Sequence, residues 1–214
     1  MTTFDGRRSD YDRGALTKAD LAADPIAQLI VWLDEAAAAG VIEHAAMSVS
    51  TVDAEGRPSS RVVLLRGIVD DGLVFFTSYD SAKARDLSAR ADCAALLSWL
   101  ELQRQVRVTG RAERLDETAS DEYFASRPRG SQIGAWASPQ SEVIADRTEL
   151  EERVAEVEAR FDGTEVPRPP NWGGYRIIGD AYEFWQGRPS RLHDRLRYRR
   201  GGGDGGWVVD RLAP

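Results

Sequence analysis

Cysteine, histidine and lysine are all scarce in this sequence. It contains one cysteine, Cys93, and two histidines, His44 and His193, among 214 residues. One cysteine excludes a disulfide framework and any cysteine-based zinc site, and two histidines argue against a histidine-rich metal centre, so we expect no bound metal. Lysine occurs only as Lys18 and Lys83, which leaves 26 arginines among the 28 basic residues.

Long apolar runs and an excess of positive charge are also missing. The longest apolar stretches, at 26–33 and 94–100, fall far short of the roughly 20 residues that cross a membrane. Residues 1–12 are polar and lack the apolar segment of a signal peptide. The net charge of −7 argues against a generic nucleic-acid binder, which is usually basic. We therefore expect a cytoplasmic protein that binds neither membranes nor nucleic acids.

The common catalytic motifs are absent as well. The sequence has no Gly-x-Ser-x-Gly motif, no Walker loop, no His-Glu-x-x-His motif and no Gly-x-Gly-x-x-Gly after a strand. The glycine-rich run at 201–206 is not followed by a helix that could hold an anion, so it predicts the tip of a hairpin. Hydrophobic residues make up 42% and charged residues 29%, which is ordinary for a folded protein.

Strand patterns outnumber helix patterns along the chain. Asp24 followed by Pro25 predicts a helix start, because aspartate caps helices and proline is tolerated in their first turn. Asp71 and Gly72 predict a hairpin turn. The other patterns predict helices at 81–89, 116–124 and 146–161, a loop at 126–131, and strands at 46–52, 61–69, 73–77, 94–100, 105–115, 175–178, 182–185, 196–199 and 207–210.

The predicted strands meet through hairpins rather than long helical crossovers. This favours a mainly β fold of the α+β class, an antiparallel barrel with peripheral helices, over a doubly wound fold. Residues 1–23 are polar and predict a flexible N-terminal arm, and we expect residues 24–214 to form a single domain.

Basic side chains, arginine in four places and lysine in one, recur beside hydroxyl or amide side chains in five places. Guanidinium groups and hydroxyls together suit a dianionic phosphate, although any one cluster is more simply explained as a solvated strand face or loop. Arg61 and Arg66 have opposite parity on the predicted strand, so a bulge or a barrel twist is needed to bring both into one pocket. The clusters lie at 61–66, 77–83, 104–105, 123–132 and 185–195.

His193 lies between Arg191 and Arg195 in the sequence. Two neighbouring cations would lower the pKa of the imidazole and favour the neutral ring. A neutral ring suits a hydrogen-bonding or orienting role, although a lone histidine is more often structural.

Several of these segments, in this order, resemble the pyridoxamine (pyridoxine) 5′-phosphate oxidase family. The similarity runs from about residue 8 to residue 214 and is clearest in Ser-Arg-Pro-Arg-Gly-Ser-Gln-Ile-Gly-Ala-Trp at 126–136 and Arg-Leu-His-Asp-Arg at 191–195. Further matching segments lie at 138–141, 172–175, 183–187 and 210–214.

The resemblance implies a split β-barrel that binds FMN at a homodimer interface. It also implies oxidation of pyridoxine or pyridoxamine 5′-phosphate to pyridoxal 5′-phosphate, with O2 as electron acceptor and H2O2 as product. Hydride transfer to a flavin needs no protein nucleophile, so the missing catalytic triads are expected.

The same resemblance implies roles for individual residues. Arg191 and His193 would face the pyridine ring and its reacting C4′ atom, and Arg8 and Tyr11 would belong to a mobile lid. The substrate phosphate would be bound by Arg66, Tyr123, Arg127 and Ser131. The FMN contacts would be Arg61, Arg66, Phe76, Thr77, Lys83, Gln105, Gln140, Ser141, Trp185 and Arg195.

Three positions depart from the family pattern. The family usually has lysine at Arg66, often tyrosine at Phe76, and often arginine at Ala82. The loss of a hydroxyl and of one phosphate-binding fork predicts weaker retention of FMN. Two alternatives stay open, namely a related split-barrel flavin or deazaflavin reductase with another substrate, and a non-catalytic module that carries FMN or pyridoxal phosphate.

Overall fold

Nine strands and five α-helices form within residues 10–201 and 206–214, the part of the chain that this computed structural model describes. The helices are α1 (Pro25–Ala38), α2 (Ala82–Ala89), α3 (Glu117–Ala125), α4 (Arg129–Ala137) and α5 (Arg147–Arg160). The strands are β1 (Ala46–Val52), β2 (Pro58–Leu64), β3 (Gly67–Val69), β4 (Gly72–Ser78), β5 (Asp92–Trp99), β6 (Arg104–Arg114), β7 (Trp172–Gln186), β8 (Asp194–Arg200) and β9 (Trp207–Arg211).

The strands form one sheet in the order β2-β1-β5-β6-β7-β4-β3, with β8 paired to β7 and β9 paired to β8. The β3–β4, β4–β7, β7–β8 and β8–β9 pairs are antiparallel. The predicted fold class, mainly β with additional helices, is therefore confirmed.

The described residues group into two compact units. The central unit comprises Val49–Ala94 and Gly110–Ile178. The terminal unit comprises the described parts of Met1–Ser48, Ala95–Thr109 and Gly179–Pro214. The expected division into an arm at 1–23 and a domain at 24–214 stays a prediction.

Helices with strong capping signals begin where the sequence predicts. The Asp24 carboxylate accepts hydrogen bonds from the backbone N–H groups of Ile26 and Ala27, and Pro25 opens α1. The Asp146 carboxylate accepts from the N–H of Glu149 and caps α5 in the same way. Both caps satisfy backbone donors that a helix start otherwise leaves unpaired, which explains why these local signals suffice.

The predicted strand at 61–69 is wrong, because the chain forms two strands there. β2 pairs with β1, whereas β3 pairs with β4, so the backbone leaves one neighbour for another at residues 65–66. The Arg66 N–H donates to the carbonyl of Val74 at 2.8 Å within this break.

The turn that follows is displaced by one residue from the prediction. Asp70 and Asp71 both have left-handed backbones, with φ of 46° and 61°, and Gly72 is already the first residue of β4, paired with Val69. A two-residue turn of this kind needs positive φ at both central positions, and aspartate tolerates that conformation.

Two further predictions are wrong, namely the loop at 126–131 and the separate strands at 175–178 and 182–185. Residues 126–131 do not form only a loop, since α4 starts at Arg129 with Pro128 in the capping position. The two strands predicted at 175–178 and 182–185 form one continuous strand, β7. Pro128 and Gly130 in the first segment and Gly179 in the second are compatible with regular structure, although the sequence pattern predicts an interruption.

Three helices of the central unit, α3, α4 and α5, share an apolar core with β7. Its buried members are Phe124, Ile133, Phe161, Val166 and Trp172, and the α5 residues Val154 and Val157 pack against them. The ring of Trp172 packs edge-on against Phe124 of α3, with centroids 5.2 Å apart, and belongs to the same core as Ile133 of α4.

Close packing around Gly173 generates a stability prediction. A Cβ atom at Gly173 would overlap the Tyr79 hydroxyl and would lie 3.0 Å from the Ser120 Oγ atom. We expect Gly173→Ala to lower the free energy of unfolding by about 1–3 kcal/mol, because neighbouring side chains must move. Urea denaturation measures this change. Gly67→Ala is the matched control, since Gly67 also lies in a strand but has no atom within 4 Å of its added Cβ atom. Equal stability losses in the two variants would contradict the packing argument.

Candidate functional site

A cavity of about 700 Å³ opens in the central unit. Its described lining contains four cationic side chains and no acidic one. The lining residues are Arg61, Val62, Val63, Leu64, Arg66, Phe76, Thr77, Lys83, Tyr123, Ser126, Arg127, Pro128, Ser131, Gln140 and Trp172. An anion is the ligand that such a surface favours.

The guanidinium of Arg61, on β2, donates hydrogen bonds to two hydroxyl groups. Its Nη1 atom donates to Thr51 Oγ1 at 2.7 Å, and its Nη2 atom donates to Ser59 Oγ at 2.5 Å. Burial lowers the pKa of Arg61, and the carboxylate of Asp86, 3.6 Å from Nη2, acts against that shift. The guanidinium is therefore oriented before any ligand binds.

Arg66 reaches the same cavity because β2 ends before it. The strand runs only to Leu64, so the parity that would place Arg61 and Arg66 on opposite faces does not extend to residue 66. The break between β2 and β3 allows Arg61 and Arg66 to line one cavity, for which the sequence alone predicted a bulge or a barrel twist.

Lys83 lies in the first turn of α2 and is buried. Its Nζ atom donates to Thr77 Oγ1 and to Gln140 Oε1, each at 3.0 Å. Burial lowers the pKa of Lys83 to about 8, and the positive charge of Arg61 adds to this effect. An anion near Nζ would relieve both effects.

Arg127 packs over the face of Trp172, with its guanidinium carbon 4.6 Å from the ring centroid. Its Nη1 atom is buried and has no hydrogen-bond partner among the described residues. Burial lowers the pKa of Arg127, Tyr123 opposes this, and the charge of Arg66 lowers it further. A buried donor without an acceptor is costly, so this atom marks a place for an acceptor group.

Aromatic rings form the apolar part of the cavity. Phe76 and Tyr123 stack with centroids 3.7 Å apart and planes 10° apart, and Phe76 is also stacked with Trp172 at 5.5 Å. The cavity therefore combines a cationic surface with planar apolar walls, which suits a phosphorylated ligand that carries an aromatic ring.

Most of the predicted site residues of the central unit line this cavity. They are Arg61, Arg66, Phe76, Thr77, Lys83, Tyr123, Arg127, Ser131 and Gln140. Ser141 is not among the lining residues; it is exposed and has a left-handed backbone with φ of 73°. Trp172 also lines the cavity although it is not one of the predicted site residues; its signal in the sequence is the matching segment at 172–175.

The remaining described candidates belong to the terminal unit. Gln105 lies on β6, Trp185 on β7 and Arg195 on β8. Arg191 is exposed in the turn before β8. Arg8 lies outside the described residues.

His193 belongs to an aromatic cluster in the terminal unit. Its ring centroid is 5.5 Å from that of Tyr11 and 4.6 Å from that of Trp185. Its Nδ1 atom accepts a hydrogen bond from the Arg188 backbone N–H at 3.1 Å. Because Nδ1 accepts, the proton of the neutral ring is on Nε2, which can donate to another group.

The expected direction of the His193 pKa shift is confirmed, but its cause is partly different. Burial lowers the pKa of His193 first, and Arg191 adds to the shift. The Arg195 guanidinium instead pairs with the buried carboxylate of Glu183, with Nε 2.8 Å from Oε1. The Glu183 carboxylate therefore offsets the positive charge of Arg195, which the sequence predicted would help to lower the pKa of His193.

None of the helices within residues 10–201 and 206–214 is long and apolar enough to cross a membrane. That same part of the chain has no cluster of three or more His, Cys, Asp or Glu side chains able to hold a metal ion.

Comparisons with protein families cover most of the chain. Residues 33–161 match the family model described as pyridoxamine 5′-phosphate oxidase. Residues 172–214 match the model described as the pyridoxine 5′-phosphate oxidase C-terminal dimerisation region. Full-length relatives named pyridoxine/pyridoxamine 5′-phosphate oxidase occur in Burkholderia vietnamiensis, at 54% identity, and in Burkholderia multivorans, at 53%, each with 100% of both chains covered.

Solved structures are similar over nearly the same length. PhzG from Burkholderia lata 383, in complex with tetrahydrophenazine-1-carboxylic acid, has a TM-score of 0.86 and 36% identity, covering 94% of this chain and 98% of that chain. A pyridoxamine 5′-phosphate oxidase-related, FMN binding protein from Nostoc punctiforme has a TM-score of 0.71 at 17% identity, covering 91% and 99%. The second similarity supports the fold alone.

The buried Lys83 ammonium generates a prediction about stability and pH. Because the folded state lowers this pKa from 10.5 to about 8, Lys83 stays mostly protonated at neutral pH and its buried charge lowers the free energy of unfolding there. The unfolded chain binds more protons than the folded one between these two values, so this penalty disappears as pH rises through that range. We expect Lys83→Met to raise the Tm of the ligand-free protein by about 2–4 °C at pH 7. The difference should shrink as the pH approaches 10.

The same Tm measurement in the presence of inorganic phosphate tests whether Lys83 belongs to an anion site. Phosphate should raise the Tm of the parent protein more than that of Lys83→Met, because the variant lacks a cation of the site. Lys18→Met is the matched control, since Lys18 is the other lysine and its Nζ atom binds an exposed backbone carbonyl, that of Val209. Equal phosphate responses in the parent and Lys83→Met would refute the assignment of Lys83 to an anion site.

Proposed function

Because the chain belongs to the pyridoxamine 5′-phosphate oxidase family and is an oxidoreductase, we propose that it oxidises pyridoxamine and pyridoxine 5′-phosphates to pyridoxal 5′-phosphate. The proposed cofactor is FMN, and the proposed electron acceptor is O2, which yields H2O2. The observation that supports this most directly is the cavity with four cations and no acidic residue in its described lining.

The cations of this cavity form two pairs, as two phosphate groups would require. The charge of Arg61 lowers the pKa of Lys83, and the charge of Arg66 lowers that of Arg127, so the members of each pair are close enough to repel. One dianion beside each pair would offset this repulsion. FMN and the substrate each carry one phosphomonoester, which matches the number of pairs.

We assign the first pair to FMN and the second to the substrate. Arg61, Lys83 and the hydroxyl of Thr77 would hold the FMN phosphate, with Gln140 fixing the Lys83 ammonium. Arg66 and Arg127 would hold the substrate phosphate. Further proposed FMN contacts are Arg66, Phe76, Gln105, Ser141, Trp185 and Arg195, and further proposed substrate-phosphate contacts are Tyr123 and Ser131.

The buried Nη1 atom of Arg127 supports the assignment of the second pair. It lacks an acceptor among the described residues, and a phosphate oxygen would supply one. The stacked rings of Phe76, Tyr123 and Trp172 provide a planar apolar wall next to these cations. A pyridine ring with a phosphate group has this combination of surfaces.

When bound, FMN would supply the two-electron acceptor for oxidation at the substrate C4′ atom, and O2 would take up the two electrons to give H2O2; the amine substrate would also take up water and release ammonia. The protein contributes position and charge. We propose that Arg191 stabilises charge that develops at the substrate amine or alcohol, and that His193 donates a hydrogen bond from Nε2. The Nδ1 contact with the Arg188 N–H fixes His193 for that role.

We further propose a homodimer with FMN at its interface. The match of residues 172–214 to a dimerisation region supports this assembly. That region contains Trp185, Arg191, His193 and Arg195, so dimer formation and site formation would be linked. The cytoplasmic location expected from the sequence stays a prediction.

One assay separates the proposed oxidase from its alternatives. The protein is purified, loaded with FMN and mixed with pyridoxamine 5′-phosphate in air. Formation of pyridoxal 5′-phosphate and H2O2, with bleaching of the flavin when air is excluded, supports the oxidase. Bound flavin without turnover indicates a carrier, and turnover of tetrahydrophenazine-1-carboxylic acid alone indicates activity on the ligand that is bound to PhzG.

Replacement of Arg191 tests its proposed role. We expect Arg191→Ala to lower kcat/KM for pyridoxamine 5′-phosphate about 30- to 1000-fold, because a charge-assisted contact in the transition state is lost. Steady-state kinetics of pyridoxal phosphate formation measure this. Arg147→Ala serves as control, since Arg147 is an exposed arginine of α5 that forms an ion pair with Glu151 of the same helix. Turnover of Arg191→Ala at the parental rate would show that Arg191 has no such role.

The alanine at position 82 allows a test of FMN retention. Ala82 is the first residue of α2, directly before Lys83. We expect Ala82→Arg to tighten FMN binding about tenfold, because it adds a phosphate-binding fork beside the proposed FMN cations. Titration followed by flavin fluorescence measures the Kd. Ala89→Arg adds the same charge at the other end of α2 and should leave the Kd unchanged; equal affinities of all three proteins would contradict the expectation.

A further inference from the structure

Arg188 contacts both the N-terminal segment and the turn that carries Arg191 and His193. Its Nη1 atom donates to the backbone carbonyl of Gly14 at 2.8 Å. Its Nε atom lies 3.5 Å from Asp194 Oδ2. Its backbone N–H donates to His193 Nδ1 at 3.1 Å. All of these contacts lie within the terminal unit.

Asp194 is the second anchor of the N-terminal segment. Its Oδ2 atom accepts from the Leu16 N–H at 3.1 Å, and its Oδ1 atom accepts from Arg211 Nη1 at 2.6 Å. Arg211 also donates from Nη2 to the Leu16 carbonyl at 3.0 Å. Burial opposes the charged form, but the hydrogen bonds from Arg211 and Leu16 keep the pKa of Asp194 below its ordinary value. The carboxylate therefore stays ionised at neutral pH and can hold both arginines.

These anchors leave Tyr11 against the imidazole of His193. The two ring planes meet at 72°, with Tyr11 also edge-on to Trp185 at 5.9 Å. Gly187 makes this approach possible, because a Cβ atom there would come within 3.0 Å of the Tyr11 side chain. The position of Tyr11 thus depends on how the chain is held at Gly14 and Leu16.

The turn itself contains backbone strain. Ser190 and Arg191 are consecutive non-glycine residues with φ of 56° and 62°. Such residues cost free energy and persist where surrounding contacts hold them. The Leu192 N–H donates to the Pro189 carbonyl at 3.1 Å, and the Arg188 N–H holds His193 on the far side of the turn. Arg188 therefore precedes the strained turn in the chain and also donates a hydrogen bond to His193, which follows the turn.

We propose that Arg188 is a positioning residue that couples the N-terminal segment to the turn with Arg191 and His193. Its backbone orients the imidazole, and its side chain holds the segment so that Tyr11 covers that imidazole. This inference rests on the proposed function for Arg191 and His193. Arg188 is not one of the site residues that the sequence or the family resemblance indicated.

The fork of the guanidinium explains why arginine suits this position. Separate N–H groups reach the Gly14 carbonyl and the Asp194 carboxylate at the same time. A lysine has one terminal nitrogen and would favour one of these acceptors. Arg188→Lys should therefore preserve the charge and restore only part of the coupling.

Trypsin provides a readout that does not depend on catalysis. Arg13 is exposed and lies directly before Gly14, so cleavage after Arg13 reports release of the anchored segment. We expect Arg188→Ala to be cleaved there about tenfold faster than the parent, because local opening becomes easier when its anchor is removed. Arg188→Lys should lie between the two. Arg147→Ala is the control and should match the parent.

Steady-state kinetics supply the second readout. We expect Arg188→Ala to raise the KM for pyridoxamine 5′-phosphate about tenfold while kcat stays within about threefold, because a loosened cover weakens binding more than it changes the reacting groups. Arg188→Lys should recover part of the KM and should fold even if Arg188→Ala does not, so the comparison can also be made with that variant.

The outcomes are distinct. Parental cleavage rates in Arg188→Ala would overturn the proposed anchor, and faster cleavage with an unchanged KM would overturn its role in positioning. If the parent protein does not oxidise pyridoxamine 5′-phosphate at all, the proposed function fails, whereas the cleavage rates still decide whether Arg188 anchors the segment. Faster cleavage with a raised KM and partial recovery in Arg188→Lys supports the proposal.

Discussion

The concentration of positive charge in the central cavity is the constraint on which the site depends. Arg61, Lys83 and Arg127 each lose hydration there, and burial is the first cause of the lowered pKa of each. The Asp86 carboxylate offsets part of this cost for Arg61, but the described lining itself supplies no carboxylate. The sheet and the apolar core therefore hold an arrangement that is unfavourable without a ligand, which is typical of functional sites.

Local contacts determine how each cation is held within that arrangement. Arg61 is fixed by hydroxyls on the neighbouring strand segments, and Lys83 by a hydroxyl and an amide oxygen. Arg127 is fixed mainly by the face of Trp172 and keeps an unpaired buried donor among the described residues. The first two are oriented by polar partners, whereas the third retains hydrogen-bonding capacity for a ligand.

The elements that the sequence predicts well are those with local signals. The carboxylates of Asp24 and Asp146 cap helices within a few residues of themselves, so α1 and α5 can be recognised from short segments. The break before Arg66 has a different origin, because it arises where the chain changes strand partners. Strand pairing is non-local, and a β-branched run at 61–69 contains no sign of it.

The same difference applies to the candidate site. Clusters of arginine and hydroxyl residues indicate anion binding from composition alone, but their parity cannot show that Arg61 and Arg66 share a cavity, since that requires the end of β2. Lys83 shows the gain from the tertiary structure most clearly. Arginine stays charged in any protein environment, whereas a buried lysine can lose its proton near neutral pH. A pKa of about 8 means that an arriving dianion would favour the ammonium form, so near pH 8 this rare lysine can couple phosphate binding to proton uptake where the arginines cannot.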